Sequence, residues 1–142
     1  MTVHTLFSLG SLLRSVSAAA VVALLASCGG DDEAQCGAIA DVKGSWSGSW
    51  NGASGAHGAA VLVLTQSDSA LTGTITLSGT SCVLMGPVDG SVCNQGVSLT
   101  AMSMGNTVGV SLTLSGTTLT GRYDVVGGQC VGDVATLTLT RQ

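Results

Sequence analysis

The stretch that decides the fold lies in the middle of the chain, where residues 71–77 have the sequence Leu-Thr-Gly-Thr-Ile-Thr-Leu. In an extended chain, side chains alternate between faces, so leucine and isoleucine share one face and the threonines share the other. The same alternation occurs over residues 108–114, 119–125 and 135–139. No stretch after Lys43 has the period of 3.6 that indicates an amphipathic helix. These segments predict strands that each bury one face.

Short turn sequences, among them Asn51-Gly52, Ser78-Gly79 and Gly127-Gly128, separate the alternating segments. They predict an all-β domain in which an antiparallel up-and-down meander of eight strands closes into a small barrel. Closure is expected because it removes the two exposed sheet edges. The predicted strands are 43–51, 59–66, 70–78, 82–92, 96–104, 107–115, 118–126 and 133–141.

A short internal repeat relates the third and seventh predicted strands. Leu71-Thr72-Gly73 and Cys82 recur 48 residues later as Leu119-Thr120-Gly121 and Cys130. The glycine that ends each triplet lies on the same face of its strand as the apolar residues, and so does Gly48. We expect these glycines to allow the sharp curvature of a small barrel.

The composition excludes several classes of protein. The chain has 142 residues, enough for one domain, with 45% apolar and only 8% charged residues, the opposite of the balance in disordered chains. Four Lys and Arg residues are too few for a nucleic-acid binder that neutralises phosphates. From Cys28 onward, three basic side chains against eight acidic ones give a net charge of −5. No nucleic-acid partner is therefore expected.

The N-terminus has the pattern of a secretory signal. Arg14 precedes an uncharged, apolar run over residues 15–27, which is shorter than the roughly 20 residues that span a bilayer. The run ends in Leu25-Ala26-Ser27-Cys28, which resembles the lipobox of bacterial lipoproteins. The resemblance implies cleavage before Cys28 and attachment of a diacylglyceryl group to its thiol. The alternative is an ordinary signal peptide followed by a chance cysteine.

The predicted domain organisation follows from this signal. Residues 1–27 are expected to be removed, residues 28–42 to form a lipidated, flexible, acidic tether that includes Asp31, Asp32 and Glu33, and residues 43–142 to form the barrel. The lipid bilayer is then a partner through the palmitate-bearing Cys28 anchor. Gly29 after the cysteine resembles the default sorting signal for the outer membrane, which we take as the expected location in the cell envelope.

A second resemblance concerns the barrel. Gly44-Ser45-Trp46 at the start of the first strand resembles the Gly-X-Trp opening of the calycin barrels, which include lipocalins and avidins. That resemblance implies a basic side chain from the last strand over the tryptophan, for which Arg141 is placed, a cation–π contact. The tryptophan-rich biotin site of avidins has no counterpart here. The chain is also similar to small, glycine- and threonine-rich bacterial lipoproteins of unassigned function.

Four cysteines remain after Cys28, and an exported chain is expected to pair them. In a meander, the loops after strands 3 and 7 share one rim, which favours Cys82–Cys130. The start of strand 1 and the end of strand 4 share the other rim, which favours Cys36–Cys93. The rival pairing is Cys82–Cys93 within a hairpin, if Gly86-Pro87 forms a turn.

Few residues of the chain have the chemistry of a catalytic or metal site. Ser54, His57 and Asp68 have the residue types of a catalytic triad, but no sequence motif supports one, and His57 lies in a glycine-rich loop. No catalytic residue and no enzyme activity are therefore predicted. No C-x-x-C spacing occurs, and His57 is the only histidine after the signal, so no zinc site and no cofactor are predicted.

The barrel interior is the remaining candidate for binding. Trp46, Trp50 and Tyr123 would supply its only polar groups, fewer than a specific pocket needs. The leading hypothesis is therefore a membrane-anchored, non-enzymatic structural or interaction module. The alternative is a lipocalin-like binder of a small apolar molecule. The residues predicted to face the interior are Trp46, Trp50, Leu62, Leu64, Leu71, Ile75, Leu77, Leu99, Val108, Val110, Leu112, Leu114, Leu119, Tyr123, Val125, Leu137 and Leu139.

Overall fold

The structure is a computed structural model that describes residues 36–83 and 85–142. Eight strands follow one another as an antiparallel meander, and β1 pairs with β8 to close the barrel. The predicted fold class is therefore confirmed. No helix that could cross a membrane occurs in these residues. The strands are β1 (Gly44–Gly52), β2 (His57–Ser67), β3 (Ala70–Leu77), β4 (Met85–Cys93), β5 (Gly96–Ser103), β6 (Asn106–Ser115), β7 (Thr118–Gly127) and β8 (Val134–Arg141).

Two strand boundaries differ from the prediction by more than one residue. β2 begins two residues earlier, at His57, because His57 continues the ladder by pairing with Asn51. β4 begins at Met85 rather than at residue 82. The cause is that Cys82 is drawn into a disulfide and Val83 turns into the core, so this part of the chain leaves the sheet.

Four of the hairpins close through two-residue turns. Their first turn residues are Asp68, Asn94, Met104 and Gly116, and all four have a left-handed backbone, with φ between 50° and 59°. Glycine adopts this conformation freely, and asparagine and aspartate tolerate it better than other residues do. Methionine has neither advantage, so Met104 is the exception among the four turns.

Neighbouring strands approach closely at the glycines that were expected to permit curvature. A Cβ atom on Gly73 would lie 1.9 Å from the carbonyl oxygen of Val63, and one on Gly121 would lie 2.0 Å from that of Ser111. Gly48 approaches Thr138 in the same way. No side chain fits at such distances, so the close approach of neighbouring strands requires glycine at these positions.

The core fills the barrel from wall to wall. Every residue predicted to face the interior is buried except Leu114, which is half-buried because it lies one residue before the end of β6. The sequence-based set was incomplete, because several small or loop residues are also buried. These are Val42, Ala60, Val83, Val88, Val92, Val97, Ala101 and Ala135.

The barrel has one disulfide at each of its two ends. These disulfides are Cys36–Cys93 and Cys82–Cys130, the pairing that the shared rims favour. The rival hairpin pairing does not occur, because residues 86 and 87 continue β4 instead of turning. Each bridge therefore connects segments that are distant in the sequence and adjacent at one end of the barrel.

The N-terminal predictions fall largely outside the described residues. This applies to the signal at 1–27, to the lipidated Cys28 and to residues 28–35 of the tether. Residues 36–42, which the prediction also assigns to the tether, are held against the barrel. Cys36 is bridged to Cys93, and the Ala40 N–H donates to the carbonyl of Asn94 at 3.0 Å.

Candidate functional site

The barrel has two ends, which differ in what covers them. The first mouth is formed by the start of β1, the end of β8 and the turns at 68–69, 94–95 and 116–117. The second mouth is formed by the loops at 53–56, 78–84 and 128–133 and the turn at 104–105. A ligand could reach the interior only through one of these mouths, so their closure decides whether the interior can be a site.

The first mouth is covered by the segment that precedes β1. Val42 inserts its side chain into the core and is fully buried. Gln66 holds the segment through both ends of its side-chain amide: its Oε1 accepts from the Val42 N–H at 2.8 Å, and its Nε2 donates to the Ala40 carbonyl at 3.0 Å. The segment thus acts as a lid whose backbone is paired with a half-buried side chain of the wall.

Trp46 lies directly beneath this lid. Its ring is fully buried, and its Nε1 donates to the Val42 carbonyl at 2.9 Å. The Arg141 guanidinium lies 4.6 Å from the centre of the ring and also donates to the Asp41 carbonyl. The cation–π contact implied by the calycin resemblance is therefore present. It joins the end of β8 to the start of β1 and to the lid.

The second mouth is covered by loops of the meander itself. Val83 is fully buried, and the neighbouring Cys82 is bridged to Cys130 across the opening. Asn106, 4% exposed, connects the same two loops. Its Nδ2 donates to the Cys82 carbonyl at 3.0 Å, and its Oδ1 accepts from the Cys130 N–H at 3.2 Å.

The two other aromatic residues lie beneath these loops. Trp50 and Tyr123 have ring centres 6.4 Å apart and planes tilted by 56°, a favourable arrangement for an aromatic pair. The Trp50 Nε1 donates to the Ser78 carbonyl at 2.8 Å, and the Tyr123 hydroxyl donates to Asp133 Oδ2 at 3.1 Å. Burial raises the pKa of Tyr123 above its usual value, and the charge of Asp133 and the hydrogen bond to it raise the pKa further.

These contacts leave the interior without a free polar group. The polar atoms of Trp46, Trp50 and Tyr123 are each bonded to the protein. In residues 36–83 and 85–142, every buried side-chain nitrogen and oxygen has a hydrogen-bond partner. Specific pockets usually present a few polar groups that converge on the ligand. Trp46, Trp50 and Tyr123, which were predicted to face the interior as a possible ligand site, are buried in the core.

The outer wall carries an open groove of about 490 Å³ between β1, β7 and β8. Arg122 lies in it and donates from Nε and Nη2 to both carboxylate oxygens of Asp124, each at 2.8 Å. The remaining lining is small, including Ala53, Val134 and Thr136. Because each charge of the pair is neutralised by the other, the groove offers neither an unpaired cation nor an unpaired anion to a ligand.

The hypothetical triad does not assemble. His57 begins β2 and Asp68 directly follows the end of β2, so the strand, at about 3.3 Å per residue, separates them by roughly 35 Å. The His57 ring is exposed, with Nδ1 3.2 Å from the Gly55 carbonyl. Throughout the described part of the chain, no three side chains of His, Cys, Asp or Glu form a group that could hold a metal.

Several residues that close the mouths escaped the sequence-based reasoning. Val42 and Val83 lie just before the observed starts of β1 and β4, where alternation carries no information about burial, although the prediction had placed Val83 inside the fourth strand. Asn106 adjoins Gly105 and so has the sequence signal of a turn, although it is one of two buried polar residues, with Ser103, in the described chain. No family model matches the chain, and no curated protein matches it.

Proposed function

We propose that the protein is an envelope lipoprotein, anchored through Cys28, whose calycin-like barrel is a non-enzymatic structural or interaction module. The observation that carries the proposal is the closure of both mouths by buried side chains, Val42 at one end and Val83 at the other. A barrel filled in this way presents only its outer surface to other molecules. The paired indole and phenol groups of the core support the same conclusion.

The anchor would also limit how far the barrel lies from the bilayer. Residues 28–36 span at most about 29 Å when fully extended. The outer surface of the barrel is then what the module presents to an envelope partner.

Labelling with radioactive palmitate in the producing cell tests the anchor. We expect the label and a membrane-bound product in the parent chain, and neither in Cys28→Ala. Ser27→Ala is the matched control, because it keeps a small residue before the cysteine and should keep the label. Label that persists in Cys28→Ala, or a parent chain released as a soluble product, would contradict the proposal.

Native mass spectrometry of the purified protein separates the module from the alternative, a lipocalin-like binder of a small apolar molecule. We expect the mass of the lipidated chain alone. A stoichiometric apolar compound that stays bound would contradict the closed-barrel proposal and support the carrier. Because a bound compound would be detected whether or not the chain is lipidated, the anchor and the module can fail separately.

A further inference from the structure

The methionines of the barrel are distributed in an unusual way. The sequence contains four methionines, and apart from Met1 all of them lie on one part of the outer wall. Met85, Met102 and Met104 are 65%, 63% and 68% exposed. Methionine commonly fills irregular gaps in cores, yet the core of the described residues contains none. These three residues, the methionine cluster, therefore serve no packing role.

The strand register brings the cluster together. β4 and β5 pair Val88 with Ala101, and continuing this register places Met85 opposite Met104. The Ser103 hydroxyl donates to the Met85 carbonyl at 3.0 Å, so the strands remain adjacent there. Met102 lies on the same face, two residues before Met104. In this register Met85 and Met102 are diagonal neighbours, which lie about 7–8 Å apart, and three rotatable bonds per side chain allow the sulfurs to converge.

The backbone of Met104 gives an independent reason to assign the cluster a role. Its φ of 50° lies in the left-handed region, and the equivalent turn positions carry Asp68, Asn94 and Gly116. Methionine at this position costs conformational free energy that asparagine or glycine would avoid. Such strain is characteristic of functional positions, where another requirement selects the side chain. Here the turn projects a thioether beside two others.

The chemistry of three thioethers selects a particular ligand. Thioether sulfur is a soft, uncharged donor that favours Cu(I), whereas zinc sites use thiolate, imidazole and carboxylate groups. Cys36, Cys82, Cys93 and Cys130 are all in disulfides and offer no competing thiolate. We propose that the methionine cluster binds one Cu(I) ion through its three sulfur atoms. This site is separate from the barrel module and does not depend on the anchor.

Silver(I) is the probe, because it is a soft monovalent cation like Cu(I) but does not change oxidation state. The test uses the full chain with Cys28→Ser, which removes the one cysteine outside the two bridges, in mild detergent. Titration calorimetry and native mass spectrometry should detect one Ag(I) per chain. Thioethers have no proton to lose, so the affinity should change less than about twofold between pH 7 and pH 5. Imidazole or thiolate ligands would lose affinity over this range.

Substitutions by leucine separate the thioethers from the apolar surface. Leucine conserves volume and apolarity, so the triple variant Met85→Leu, Met102→Leu, Met104→Leu should fold normally and bind no Ag(I). Met104→Leu alone should weaken binding at least tenfold. His57→Gln is the matched control and should bind as the parent does. A triple variant that binds as tightly as the parent would overturn the proposal. A parent chain that binds no Ag(I) would overturn the proposal as well. This holds also if the parent instead associates with another protein through this apolar surface.

Met104→Asn tests the link between strain and binding. Asparagine suits the left-handed turn, so the midpoint of thermal unfolding should rise by a few degrees, while the affinity for Ag(I) falls at least tenfold. A variant whose affinity is unchanged would overturn the assignment of Met104 as a ligand, whatever its stability.

Discussion

The two mouths of the barrel are closed in opposite ways. The first mouth is covered by a segment outside the meander, residues 36–43, which the bridge to Cys93 and the side chain of Gln66 hold in place. The second is covered by the loops that connect the strands, which Asn106 and the Cys82–Cys130 bridge join to each other. One closure is an added lid, and the other is part of the sheet connections.

The lengths of the connections explain the difference. The turns at the first mouth contain two residues each, too few to reach over the opening. The loops at 78–84 and 128–133 are long enough to cross the second mouth and to bury Val83. A meander with tight turns at one end exposes its core there unless another segment covers it. The lid supplies that cover by burying Val42 above Trp46.

Among the changes that test the difference between the two mouths, removal of a disulfide should have the largest effect on the free energy of unfolding. The bridges span 57 and 48 residues, so the loss of either should cost about 4 kcal/mol of unfolding free energy by the loop-entropy relation. The variants are Cys36→Ala with Cys93→Ala, and Cys82→Ala with Cys130→Ala, compared by urea denaturation.

Hydrogen exchange of the same two variants should then distinguish the mouths. Without Cys36–Cys93, amides of residues 36–43 should lose protection, because the lid is attached to the wall mainly by side-chain contacts. Without Cys82–Cys130, the second mouth should keep more protection through Asn106. Equal loss at both mouths would show that the two closures do not differ as described.

Substitution of the polar side chains that hold each closure should have an intermediate effect. Asn106→Ala leaves the Cys82 carbonyl and the Cys130 N–H without their partner in a buried site, which should cost about 2–3 kcal/mol. Gln66→Ala should cost about 1 kcal/mol, because Gln66 is half-buried and water can replace it. Denaturant midpoints measure both, with the exposed Gln95→Ala as a control expected within about 0.5 kcal/mol of the parent. A larger loss in Gln66→Ala than in Asn106→Ala would reverse the ranking.

Tyr123→Phe should give the smallest effect, about 1 kcal/mol at neutral pH, through the loss of the hydrogen bond to Asp133. Its signature is the dependence on pH. Because the pKa of Tyr123 is raised in the folded state, its contribution is complete below about pH 10, where an unfolded tyrosine ionises, and is lost as the pH rises further. The parent should therefore lose more stability above pH 10 than Tyr123→Phe does. Parallel stability curves for the two proteins between pH 9 and pH 12 would contradict this assignment.

Much of the wall could be predicted from the sequence, because alternation reports burial wherever a strand has one face in the core. The 71–77 segment shows this, since Leu71, Ile75 and Leu77 are all buried and the threonines between them are exposed. The alternating direction of successive strands also placed each cysteine at the correct end of the barrel. The lid and the buried valines that close the two mouths could not be predicted in this way. Val42 and Val83 are buried by contacts between segments that are distant in the sequence, and no local period encodes such contacts.

The candidate interior was predictable only in outline. Trp46, Trp50 and Tyr123 were correctly placed inside, but their partners Val42, Ser78 and Asp133 lie in the lid and loops. The methionine cluster was missed because its members are apolar residues that form no known motif. The left-handed backbone of Met104 stands out only when the four two-residue turns of the structure are compared.

The two bridges also interleave, because Cys82 lies within the covalent ring closed by Cys36 and Cys93, and Cys93 lies within the ring closed by Cys82 and Cys130. Every peptide bond between residues 36 and 130 therefore belongs to at least one ring. A protease that cuts the chain once anywhere in this interval separates nothing, since the two pieces remain covalently joined until a reductant opens a bridge. Only β8 lies outside both rings, and it is hydrogen-bonded to β1 on one side and to β7 on the other. In the extracytoplasmic environment that the predicted signal implies, the order of the cysteines would thus keep the domain in one covalent piece after a first cleavage.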